Sequence, residues 1–140
     1  MVDLLHSKLQ LDVVTPSARL ISVACDEVRA PGTDGGFGVR PGHAPLMSGL
    51  DAGVLTYVVD GAEHSFALAG GFIEVAENRV TVLADYAEPA RSIDPVAAMQ
   101  ELEAAQKRHM AALAEDEASE RRARAVLERA AARMGAARLR

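Results

Sequence analysis

The chain of 140 residues has no Trp, two Tyr and three Phe. Proteins that read bases by stacking depend on such rings, so this scarcity weighs against a nucleic-acid reader. Cys25 is the only cysteine. No intramolecular disulfide can form, and a reducing compartment is expected. Its surroundings, Ile21-Ser22-Val23-Ala24-Cys25, read as a strand, which makes it buried filler rather than a reactive thiol. No apolar run approaches the ~20 residues of a spanning helix. The N-terminus has no basic stretch leading into an apolar core, so no signal peptide is expected. The four histidines, His6, His43, His64 and His109, show no metal-ligand spacing, and no metal site is expected.

Nearly half the residues (49%) are apolar and a quarter (25%) are charged, the balance of a soluble globular protein. The net charge of −5 hides an asymmetry. Residues 1–91 carry 6 basic and 12 acidic side chains, whereas residues 92–140 carry 9 and 8. The last twenty residues hold seven Arg against one acid, Glu128. A basic tail on an acidic body implies a tail that meets an acidic partner, and the acidic body argues against nucleic acid.

From Leu9 to Asp85 the pattern is that of strands. Leu9, Leu11 and Val13 alternate with Gln10 and Asp12, and strand-like runs follow at Arg19–Cys25, Glu27–Ala30, Gly53–Val59, His64–Leu68, Phe72–Ala76 and Arg79–Leu83. Asp60-Gly61 between two such runs predicts a two-residue hairpin. Ten of the eleven Gly lie in this half, so turns are frequent. An antiparallel β-sandwich or flattened barrel of many short strands is expected, over residues 1–88.

Beyond Glu88-Pro89 the period changes. Asp94-Pro95 is a helix start, with Asp as N-cap and Pro at the first helical position. Val96, Met99, Leu102, Met110 and Leu113 mark one helical face, and Ala123, Val126, Leu127, Ala130 and Met134 mark a second. Residues 89–140 thus form a two-helix arm. Ala114-Glu115-Asp116-Glu117 has neither Gly nor Pro, so the helices can fold as an antiparallel hairpin or run on as one. Straight, residues 94–138 would extend about 67 Å. Large apolar side chains on the arm are few, which predicts weak docking that a partner could tip.

The densest segment runs from Val28 to Leu46: a Gly-rich turn at Asp34-Gly35-Gly36-Phe37, the strand Gly36-Phe37-Gly38-Val39, then Pro41-Gly42-His43-Ala44-Pro45-Leu46. It is no phosphate loop, because neither Lys-Ser/Thr nor a helix pattern follows the glycines. Ser48, His43 and Asp51 hold the atoms of a triad, but they crowd into nine residues and lack a nucleophile elbow. No catalytic residue is assigned.

This segment resembles the signature of the epsilon subunit of bacterial and organellar proton-translocating ATP synthases. The likeness continues in Leu50-Asp51-Ala52-Gly53-Val54-Leu55, Gly70-Gly71-Phe72-Ile73-Glu74-Val75 and Asn78-Arg79-Val80-Thr81-Val82-Leu83-Ala84-Asp85, and the opening Leu11-Asp12-Val13-Val14-Thr15-Pro16 also fits. The resemblance implies a ten-stranded β-sandwich with a two-helix C-terminal domain. It implies a non-catalytic rotor subunit of the central stalk, monomeric when isolated and peripheral on the cytoplasmic face of the bacterial inner membrane. Its implied partners are the gamma subunit, the polar loops of the c-ring, and the alpha/beta catalytic head when the arm extends to inhibit ATP hydrolysis.

Carried over by position, gamma contact falls on His43 and Ser48. The c-ring contact falls on Asp34, Gly35, Gly36 and Phe37. Some relatives have an acid where Gly36 stands, so any charge there must come from Asp34. The arginines Arg121, Arg122, Arg124, Arg129 and Arg133 are placed for the inhibitory contact. Some relatives bind ATP through Ile/Leu-Asp-x-x-Arg-Ala. Here Ile93, Asp94 and Ala98 match, but Ala97 replaces the Arg whose guanidinium would pair with phosphate, and no cofactor is expected. Two other classes compete: a β-sandwich adaptor unconnected with ATP synthase, and a small hydrolase using His43.

Overall fold

In a computed structural model, which describes residues 7–139, ten strands form two five-stranded layers. They are β1 (Leu9–Thr15), β2 (Ala18–Cys25), β3 (Glu27–Gly32), β4 (Gly35–Val39), β5 (Leu46–Leu50), β6 (Gly53–Val59), β7 (Ala62–Leu68), β8 (Gly71–Ala76), β9 (Arg79–Ala84) and β10 (Ala87–Pro89). One layer runs β10-β7-β6-β3-β4 and the other β5-β8-β9-β1-β2, joined where Gly32 pairs with Leu50. His6 and Arg140 lie outside the described residues.

The period-two pattern does what it predicts. Leu9, Leu11 and Val13 of β1 are buried, and so are Ile73 and Val75 of β8 and Val80 and Val82 of β9. They meet Val28, Val39, Leu55, Phe66 and Leu68 of the other layer in one core. Cys25 is buried there, and desolvation, helped by the neighbouring Asp26 carboxylate, pushes its thiol up to about 11. Asp60 (φ 48°) and Gly61 (φ 83°) make the expected hairpin between β6 and β7. Glu77 (φ 52°) and Asn78 (φ 60°) make a second one of the same kind without a glycine. Pairing is antiparallel with one exception: β1 runs parallel to β9, Leu11 opposite Val80. Those strands lie far apart in sequence, and the chain crosses the sandwich between them, so no hairpin constrains their direction.

A single 3-10 turn, Ala90–Ser92, leads from β10 into helix α1 (Pro95–Ala112), and helix α2 (Glu117–Ala137) returns beside it. Asp94 caps α1 by accepting from the Val96 N–H at 3.0 Å. The faces are not those the spacing marked. The buried residues of α1 are Ala98, Ala105 and Ala112, while Val96, Met99, Met110 and Leu113 are exposed. On α2 the buried set includes Ala123, Ala130 and Met134 as expected, but Val126 is exposed. The seven-residue spacing of Ala98/Ala105/Ala112 and of Ala123/Ala130/Ala137 lets the helices approach closely, so small side chains win the shared face.

The turn between the helices is made by side chains rather than by Gly or Pro. Asp116 caps α2, accepting from Ser119 N–H at 2.7 Å. Arg108 grips Glu115 with two bonds of 2.8 and 3.0 Å, and His109 lies 3.1 Å from Glu120. The C-terminal half of α2 rests on β6 and β7, where Ala132, Met134, Ala136 and Ala137 cover Ala67 and Val54. A Cβ at Gly135 would stand 3.3 Å from Val54 Cγ2, so this glycine permits the close approach.

Candidate functional site

The arm covers the outer face of one layer. Among the described residues no element covers the outer face of the other, and it carries the exposed apolar side chains Met47, Phe72 and Leu83. Phe72 and Leu83 are paired across β8 and β9, and Phe72 pairs with Gly49 of β5, two residues from Met47. These are the three large exposed hydrophobes of the sandwich among the described residues; Phe72 is 62% exposed and Met47 74%. Sequence reasoning passed over them. The signal was present: Phe72 falls on the solvent phase of a strand whose Ile73 and Val75 point into the core.

Strand β5 connects two distinctive loops. At its N-terminal end lies the corner Pro41-Gly42-His43. Gly42 adopts φ 88°, and its N–H donates to the Asn78 side chain at 2.7 Å, tying the corner to the β8–β9 hairpin. His43 N–H closes the turn on the Arg40 carbonyl, and His43 Nδ1 donates to the Ala44 carbonyl at 2.6 Å. A carbonyl only accepts, so the proton sits on Nδ1, leaving Nε2 for a partner. Ser48, in mid-strand, is half-buried on the Ile73 side and donates to the Gly49 carbonyl at 2.9 Å. His43 and Ser48 each bond to local backbone rather than to each other, which leaves the hydrolase reading without a nucleophile–base pair.

At the C-terminal end of β5 stands the β3–β4 turn, whose Thr33 N–H donates to the Gly49 carbonyl at 3.0 Å. Asp34, Gly35 and Gly36 are exposed at this tip. Phe37 is not: its ring lies over Gly32 and packs on the core.

The five arm arginines fall into two groups. Arg121 and Arg124 pair along their own helix with Glu117 and Glu120, and Arg122 donates to Ser119. Arg129 lies 3.7 Å above the Tyr86 ring. Arg133 donates to both oxygens of Glu88 at 2.9 and 3.4 Å and also to Glu101. The Tyr86 hydroxyl donates to Glu88 as well. Burial pushes the Glu88 carboxyl up, but the bonds from Arg133 and Tyr86 outweigh it, and the net direction is down. These groups line a groove of about 610 Å³ between the helices and β10.

Ile93, Asp94 and Ala98 all have structural work here. Ile93 and Ala98 are buried in the cluster that joins the arm to the sandwich, and the Asp94 carboxylate caps α1. Among the described residues no three His, Cys, Asp or Glu side chains gather as metal ligands, and no helix is long and apolar enough to cross a membrane.

Residues 8–90 match the family described as ATP synthase, Delta/Epsilon chain, beta-sandwich domain. That defines the class: a delta/epsilon-type sandwich protein with a helical arm. Over 131 residues the chain is 44% identical to the ATP synthase epsilon chain of Myxococcus xanthus (strain DK1622), covering 94% of this chain and 96% of that one. Over 100 residues it is 56% identical to the ATP synthase epsilon chain of Anaeromyxobacter sp. (strain Fw109-5), covering 71% and 76%. The chain belongs to the bacterial ATP synthase epsilon chain family. Its fold is similar to a chain in the cryo-EM structure of the Euglena gracilis mitochondrial ATP synthase, OSCP/F1/c-ring in rotational state 1. There the TM-score is 0.79 at 21% identity, over 95% of this chain and 82% of that chain.

Proposed function

We propose that this epsilon chain is a non-catalytic rotor subunit that docks on the gamma subunit through the bare layer of its sandwich and meets the c-ring through the β3–β4 turn. The observation that carries the reading is the apolar patch Met47, Phe72 and Leu83 beside β5. Exposed apolar side chains clustered on one sheet face mark a protein interface. His43 flanks the patch on the loop of the same layer, Ser48 lies in the strand beside Met47 with its side chain on the Ile73 side, and Asp34, Gly35 and Gly36 lie at the opposite end of β5, so one rigid strand would link two partners. Phe37 supports that turn from beneath. The subunit would work at the cytoplasmic face of the inner membrane by holding on to these partners, without inserting a segment of its own.

The arm, residues 89–140, is read as regulatory, and its exposed arginines Arg121, Arg122 and Arg124 as the contact with the alpha/beta head. Strand β10 still pairs with β7 at Pro89, so the separable arm begins beyond the 3-10 turn. Deleting residues 93–140 is expected to raise ATP hydrolysis by the assembled enzyme, and unchanged hydrolysis would remove the inhibitory role. ATP binding by the arm is not part of the reading: Ala97 supplies no guanidinium, and Arg129 and Arg133 are already engaged. Equilibrium dialysis with ATP tests this, and saturable binding would contradict it. Copurification of gamma with the tagged full chain tests the docking itself, and a chain that emerges alone would contradict it.

A further inference from the structure

Apart from its two large members, Ile93 and Met134, the cluster that joins arm to sandwich is built of alanines: Ala67, Ala90, Ala98, Ala132, Ala136 and Ala137. Alanine contributes little apolar area, so the contact needs another source of strength and specificity. Arg133 is placed to provide it. Its guanidinium, with a side chain 19% exposed, spans two carboxylates from two other elements, Glu88 on β10 and Glu101 on α1. The grip on Glu88 uses both carboxylate oxygens, the geometry in which an Arg–carboxylate pair is strongest. Glu88 lies where the chain leaves the sandwich, and its neighbour Tyr86 carries Arg129 of the same helix face on its ring.

From this we infer that Arg133, held by Glu88 and Glu101, is a latch that keeps the helical arm on the sandwich, and that breaking it is the step that frees the arm. The inference deepens the regulatory reading of the arm. It also reverses the expected sign for one residue. If Arg133 were a contact with an outside partner, its loss would weaken the extended state. As a latch, its loss favours release. Arg121, Arg122 and Arg124 touch only their own helix, so the two roles separate along α2.

The test reads the isolated full-length chain, so failure of the latch and failure of the inhibitory role are distinguishable. Hydrogen–deuterium exchange is followed in α1, α2 and the strands at neutral pH. A fully exposed ion pair matters little and a buried one matters much, so for this half-buried grip Arg133→Gln is expected to speed exchange in both helices about tenfold. The strands should stay as protected as before, and 1 M salt should narrow the difference. Arg122→Gln, on the exposed face, should leave exchange unchanged. The reversed pair Glu88→Arg with Arg133→Glu should recover part of the protection. Helix exchange in Arg133→Gln equal to the native rate, or equal loosening by Arg122→Gln, would overturn the latch. If Arg133→Gln loosens the strands too, Arg133→Lys decides. Lysine keeps the charge without the two-pronged grip, so it should loosen the helices alone, and native exchange in that variant refutes the proposal.

Discussion

Asn78 shows how one side chain can serve two structures. Its left-handed backbone makes the β8–β9 hairpin, and its amide oxygen accepts the Gly42 N–H that fixes the exit angle of His43. Asn78→Gly keeps the backbone conformation and removes only that acceptor. The expected outcome is an intact sandwich by circular dichroism with gamma affinity reduced about tenfold, as for loss of one positioning hydrogen bond; unchanged affinity by titration calorimetry would separate the corner from docking. Glu88 makes a second prediction, for pH. It is faced by Arg133 and Arg129 of α2, by Glu101 and Arg108 of α1 and by its neighbour Tyr86. Its folded-state pKa lies below the ordinary 4.5, so its contribution to docking is complete above 4.5 and is lost as pH falls through the lower, folded value. With no Trp in the chain, Tyr57→Phe leaves Tyr86 as the sole tyrosine, whose emission is separable from that of Phe. Its emission should hold constant from pH 7 to about 5 and change below ordinary carboxylate pKa values as the Glu88 bond is lost. A flat response down to the unfolding of the sandwich would contradict this.

At the scale of elements, what the sequence made legible followed local rules. The strand runs, the Asp60-Gly61 hairpin and the Asp94-Pro95 start of α1 all stand where period and turn chemistry put them. The parallel β1–β9 pair was not legible, because strand direction across the sandwich depends on chain routing rather than on local pattern. The arm misled for a different reason. Counting large apolar residues marked Val96, Met99 and Met110, but closely packed helices select small residues, and the alanines went inside. The turn at residues 113–116 was hidden because a side-chain clasp, Arg108–Glu115 and His109–Glu120, stands in for Gly or Pro. With that clasp broken in Arg108→Ala/Glu115→Ala, the helices should join more readily. Spin labels at positions 100 and 131 would sit about 46 Å apart along a straight helix, against adjacent helices in the hairpin. Pulsed dipolar spectroscopy should show the long distance growing in the double variant; an unchanged distribution would mean that packing alone holds the hairpin.

For the whole molecule, the two outer faces of the sandwich have opposite fates. One is closed by the chain's own arm through Val54 and Ala67, and the other leaves Met47, Phe72 and Leu83 in solvent. The sequence reading put the gamma contact on His43 and Ser48 of this layer and did not mark the exposed apolar side chains of the same sheet, on which the proposed docking rests. Central apolar anchors usually dominate an interface, and truncating one costs about 2 kcal/mol or more. The most direct measurement is titration calorimetry of gamma with the full chain, native and with Phe72→Glu/Leu83→Glu. Both positions face solvent, so the variant should fold as the native chain does. The account predicts at least a hundredfold loss of affinity from burying two unpaired carboxylates at the centre of the contact. Native affinity in a correctly folded variant would show that gamma docks elsewhere.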